Sequence, residues 1–171
     1  MDTYMVMLRI LHILAGVFWV GAGLTTILFL QPTAREVGPA AGPFMAHLAG
    51  KKKLVDWVLR AAGLTVLAGA LMYWRVTGGL EWDRITSAYG LSLTIGALSA
   101  IAAFSLGLSV VRPTIMATLA IGRDVAASGG PPTPEQAAQL QALQQRGKAV
   151  GQIIVPLLVV AVSGMAAARY L

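Results

Sequence analysis

Two histidines are the residues of this chain best suited to chemistry. His12 lies within the apolar run Leu8–Leu30, LRILHILAGVFWVGAGLTTILFL, which is long enough to cross a bilayer. A ring that can ionise or bind a metal is costly in hydrocarbon, so it is expected to face protein, water or a ligand. Gly16 follows one helical turn later and Gly23 two turns after that, with Trp19 between them. That face could admit a close partner helix or a flat ligand. His12 could act as an axial ligand to the iron of a b-type haem, as a copper ligand, or as a proton-handling group. The alternative is a neutral imidazole bonded to a neighbouring helix. His47, in PFMAHLAGKKKL beside three lysines, reads from its position as a partly solvated histidine at the membrane interface.

Methionine thioethers are the other soft donors. Met72 closes the second apolar segment beside Tyr73, and Met165 lies near the end of the fourth with Ser163. Both are expected at the depth of His12, which Met5 and Met7 precede. One histidine with thioethers suits haem in His/Met ligation, or Cu(I). Methionine also fills apolar space without any such role. His12 and His47 are expected near opposite faces of the hydrocarbon, about 25–30 Å apart. One iron cannot take both unless the first loop folds back into the bundle.

Other chemistries are missing from the sequence. There is no cysteine, which removes disulfides, thiolate metal sites, covalent c-type haem and cysteine-ligated iron–sulfur clusters. No paired intramembrane carboxylates, phosphate-binding glycine loop, zinc-protease helix or serine elbow is present.

The elements that must hold these residues are membrane spans. Of 171 residues, 57% are hydrophobic and 12% charged, about half the charged fraction of a soluble domain; mean hydropathy is +0.73. Four segments reach spanning length, at about 5–30, 54–74, 87–111 and 150–169. They predict an all-α antiparallel four-helix membrane bundle forming one domain over 1–171, with an amphipathic segment in loop one. The first segment has no small-residue cleavage pattern and is expected to remain in place. The net charge of +6 is carried mostly between apolar segments, as an orientation signal and not as a nucleic-acid surface. Arg35, Lys51, Lys52, Lys53 and Arg60 flank loop one, and Arg112, Arg123, Arg146 and Lys148 flank loop three. The positive-inside rule then puts the loop at 112–148 in the cytoplasm and both termini outside.

Local signals refine this picture. Gln31-Pro32 is expected to end the first span and Pro156 to kink the fourth. Asp56 and Arg60 are spaced for a pair within one helix. Thr133, Pro134 and Gln136 form a helix start. Gly96, Ala100, Ala103 and Gly107 make a small-residue stripe that permits close helix approach, and with it a homodimer. No internal repeat is evident.

The first span, LHILAGVFWVG, resembles the opening helix of a broad group of bacterial membrane proteins: the copper-resistance D (CopD) type, the HemJ-type protoporphyrinogen oxidases, and the membrane domain of cytochrome-linked urate oxidases (PuuD type). Similarity to the last extends through FLQP, HLAGKKKLVDWVLRAAGLTVLAG, VVRP and RGKAVGQIIVPLLVV. The resemblance implies a redox module in a bacterial inner membrane, with His12 as the family's first-helix histidine and His47 matching a histidine of the urate-oxidase type. The chain has no CxxCH, no histidine in SGMAAARYL and no lysine in the third span, so oxidation of urate or protoporphyrinogen is not part of the expectation. Three readings follow: a b-haem module passing electrons to a membrane redox partner, with His12, His47, Met72, Gly16 and Trp19 at the cofactor; a copper-handling protein using His12, Met72 and Met165; or a metal-free structural or assembly subunit.

Overall fold

In the computed structural model, which describes residues 2–171, four helices are long and apolar enough to cross a membrane. They are α1 (Thr3–Val37), α2 (Leu54–Val76), α3 (Ala88–Ser128) and α4 (Pro134–Ala168). The architecture is an all-α bundle, as the four apolar segments require. Leu14, Val17, Phe29 and Leu98 stand exposed on its outer surface. Side chains of that kind, ringing every helix, suit lipid contact and mark a multi-pass membrane protein.

The bundle is assembled from two helix pairs. α1 lies along α2 and α3 along α4, while α2 touches α3 over a shorter length. All four helices meet in a core of Trp19, Ala62, Ala100, Ala103, Val150, Ile154, Leu158 and Ala161. Half of these are alanines, so the helices approach closely, with Trp19 and the α4 side chains Val150, Ile154 and Leu158 filling the space that remains. Asp2 and Arg75 pair at 3.5 Å, tying the start of α1 to the end of α2.

Pro32 does not end the first span as the sequence led us to expect. α1 continues through Gln31-Pro32 to Val37. It does so by widening to a π turn at Thr26–Leu30, where the Gln31 N–H reaches back to the Thr26 carbonyl. The wider turn moves the carbonyl that the Pro32 ring would otherwise strike, so the helix passes the proline unbroken. α3 repeats the device: a π turn at Gly107–Val111, with the Arg112 N–H bonded to the Gly107 carbonyl, precedes Pro113. Pro156 lies inside α4, as expected, and the helix runs on past it.

These continuations carry helix beyond the membrane. At 1.5 Å per residue α3 is about 62 Å long and α4 about 52 Å, against about 30 Å of hydrocarbon. Their excess lies at the loop-three end, where Arg112–Ser128 runs against the first part of α4. Thr133 caps α4 through the expected box: its Oγ1 accepts the Gln136 N–H at 3.2 Å, and Gln136 Oε1 accepts the Thr133 N–H at 3.0 Å. Loop one folds as helical pieces, Gly42–Ala46 and a π turn His47–Lys51. Asp56 does not take Arg60 as its partner. It meets Arg112 at 3.2 Å, and the Arg60 guanidinium lies 5.2 Å from the Trp57 ring centre. The pair therefore joins α2 to α3 instead of bracing one helix.

One buried hydroxyl among the described residues, Thr114 Oγ1 on α3, has no hydrogen-bond partner. An unpaired buried polar group costs about 1 kcal/mol or more. Thr114→Val removes that cost while keeping the branched shape, so it is expected to raise the thermal midpoint in detergent by about 2–4 °C; an unchanged or lower midpoint would show that the hydroxyl is satisfied.

Candidate functional site

His12 sits three turns into α1, half-buried where α1 lies against α2. Its Nδ1 is 2.8 Å from the carbonyl oxygen of Thr65. A carbonyl only accepts, so Nδ1 carries the hydrogen and donates, which leaves Nε2 as the ring nitrogen able to carry a lone pair. The Thr65 hydroxyl is directed elsewhere: Oγ1 donates to the Ala61 carbonyl at 2.8 Å. What turns to the imidazole is therefore backbone, on a helix whose carbonyl has a second lone pair to spare.

Glycine makes the contact possible. A Cβ built on Gly69 would lie 2.9 Å from His12 Cε1 and 3.1 Å from Nδ1. No real Cβ packs that closely, so the ring occupies the space that a side chain at Gly69 would fill. One turn along α1, Gly16 would place a Cβ 3.4 Å from Thr65 Cγ2. His12, Gly16, Thr65 and Gly69 thus form one unit on the α1–α2 seam.

The remaining sequence candidates fall in different places. Trp19 is buried in the four-helix core, about 10 Å along α1 from His12. Met72 is seven residues beyond Thr65 and three beyond Gly69, which puts it on the same face of α2 as both. Met165 belongs to the other seam, with its Cγ 3.3 Å from a Cβ built on Gly96. His47 is exposed in loop one, before the first turn of α2. From Leu54 to Thr65 α2 rises about 16 Å, so His47 and His12 are not brought together. Among the described residues, no three His, Asp or Glu side chains gather into a metal-ligating group.

Sequence reasoning missed Thr65 and Gly69. The signal for Gly69 was present in AAGLTVLAGA, a run of small residues on α2 able to seat the small face of α1. For the Thr65 carbonyl there was none, because every residue offers one. The second half of the chain repeats the plan. Ser92 on α3 donates to the Gly164 carbonyl of α4 at 2.8 Å, and Gly96 follows one turn later against Ala161. A polar side chain, a glycine four residues on and a glycine on the partner helix recur in both halves. Only the first half uses an imidazole. Tyr73 and Thr94, 2.6 Å apart, link the two pairs. Compared with protein-family models, with curated proteins and with solved structures, the chain matches none.

Proposed function

We propose that the chain is an integral membrane redox module that holds a b-type haem through His12 and relays electrons within the membrane. The reading is carried by one observation: the imidazole gives its Nδ1–H to a backbone carbonyl, which leaves Nε2 as the nitrogen that could ligate. Metal-ligating histidines divide their two nitrogens in this way, and the carbonyl both fixes the ring and strengthens it as a base. A purely structural imidazole makes the same bond, but it has no use for the second nitrogen.

A haem bound there supplies one-electron transfer between two iron states. The chain's own residues orient and shield. The Thr65 carbonyl holds the ring, Gly69 and Gly16 let α1 and α2 close around it, and the apolar seam limits water. Met72, on the same face of α2, is the thioether best placed for a second ligand. The same placement supports Cu(I) as the alternative metal. The resemblance of the first span and the concentration of basic residues at the loop-one end support a bacterial inner membrane, with that end cytoplasmic and both termini outside.

Absorption spectra of the detergent-purified protein test this. A Soret band that shifts on reduction is expected, and His12→Ala is expected to lose about 90% or more of it while helix content and elution volume hold. A colourless protein that also takes up no added haem would overturn the haem reading. Copper in metal analysis, with Cu(I) affinity weakened in Met72→Leu, would put the alternative in its place.

A further inference from the structure

A second feature lies far from His12, between α1 and α4 at the basic end of the bundle. Gly151 draws the two helices together: a Cβ there would lie 3.0 Å from Ile27 Cγ2. One turn earlier, at Gly147, a Cβ would meet nothing within 4 Å. Between these points the helices part and leave a groove of about 360 Å³. Its inner wall is apolar, with Ile27 and Pro156, and its mouth carries Arg35 from α1 and Lys148 from α4. Among the described residues, no acidic side chain lines it.

Depth and chemistry point the same way. Arg35 follows the end of the apolar run on α1, and Lys148 precedes the start of the one on α4. Both cations therefore mark the boundary between hydrocarbon and headgroups. Pro156 adds to this: it has no N–H to return to the preceding turn, so the usual i−4 bond to the carbonyl of Gln152, a groove residue, is absent. A site with two cations at the mouth, one carbonyl released from its helical bond and an apolar floor fits a ligand with an anionic phosphate, hydroxyl donors and hydrocarbon.

We infer that this groove holds an acidic phospholipid, its phosphate between Arg35 and Lys148 and an acyl chain against the apolar wall. Basic pockets between spanning helices bind anionic headgroups in this way. The inference is independent of any metal at His12. A second cavity, near Thr77 and Arg84 at the other end, includes Asp83 in its lining and lacks this charge pattern.

Delipidated protein titrated with phosphatidylglycerol or with phosphatidylcholine of the same acyl chains, and read by native mass spectrometry, decides the matter. One phosphatidylglycerol adduct is expected at about tenfold lower concentration than phosphatidylcholine. The double variant Arg35→Gln/Lys148→Gln is expected to erase that preference. Gly147→Leu starts where a Cβ meets nothing within 4 Å and puts its side chain into the groove, so it is expected to lose the adduct while circular dichroism and elution stay unchanged. Equal adducts of the two lipids on the unaltered protein, or a preference that survives in whichever variants fold, would overturn the proposal. So would displacement of phosphatidylglycerol by millimolar inorganic phosphate, which would identify a free-anion site.

Discussion

Gly164→Leu is expected to lower the thermal midpoint in detergent by about 6–12 °C, corresponding to about 3 kcal/mol for a chain of this size. A Cβ on Gly164 would lie 2.9 Å from the Ser92 carbonyl oxygen and 3.4 Å from the Gly96 N and Cα. All three atoms are backbone, so no rotamer change can make room and the helices must separate. Separation forfeits the Ser92–Gly164 hydrogen bond and the seating of Gly96 against the Ala161 carbonyl, where a Cβ would lie 3.1 Å away. In lipid no hydrophobic force pushes helices together, so packing and hydrogen bonds carry the association. The same substitution at Gly21, where a Cβ meets nothing within 4 Å, gains the same helix propensity and is expected to leave the midpoint unchanged. If the two variants melt together, the α3–α4 seam is looser than described.

That seam also bears on self-association. Gly96, Ala100 and Ala103 are buried inside the chain, against its own fourth helix and core. The stripe that made a homodimer plausible is therefore already occupied. A small-residue stripe states that a helix approaches closely, but not which helix.

How far the rest was legible follows the same division. Spans were readable because hydrocarbon thickness dictates their length, and a capping box because its parts lie three residues apart. That His12 needs a polar partner was readable, because an ionisable ring in an apolar run is costly, and the Thr65 carbonyl supplies one. Partners chosen by tertiary packing were not. Asp56 has Arg60 at ideal helical spacing and still takes Arg112, since the two helices meet at that depth. The extent of α1 was misjudged at Pro32, because a π turn, which has no compact sequence signature, absorbed the proline. The recurrence of one plan in both halves was hidden for a related reason. It is preserved in the placement of Gly16 and Gly96, Gly69 and Gly164, Pro32 and Pro113, while the chemistry-bearing position changed from His12 to Ser92.

Gly69→Ala offers the sharpest separation between an imidazole that ligates and one that only braces two helices. The added methyl would sit 2.9 Å from Cε1 and 3.1 Å from Nδ1, so the ring must shift and the 2.8 Å bond to the Thr65 carbonyl must stretch or break. Stability falls by at most about 2 kcal/mol in sum, because the helix gains about 1 kcal/mol from alanine over glycine and loses about 1–3 kcal/mol to overpacking. Ligation is more sensitive. Losing the partner that orients a ligating histidine typically costs about 10- to 100-fold in affinity, so haem titration followed at the Soret band is expected to weaken by that factor in Gly69→Ala. His12→Ala should abolish it. Thr65→Val keeps the carbonyl and removes only the hydroxyl bonded to Ala61, so its affinity is expected to match the unaltered protein. Gly69→Ala binding haem as tightly as the parent would break the link between the Thr65 carbonyl and the proposed haem ligation by His12, and with it the part proposed for the α1–α2 seam.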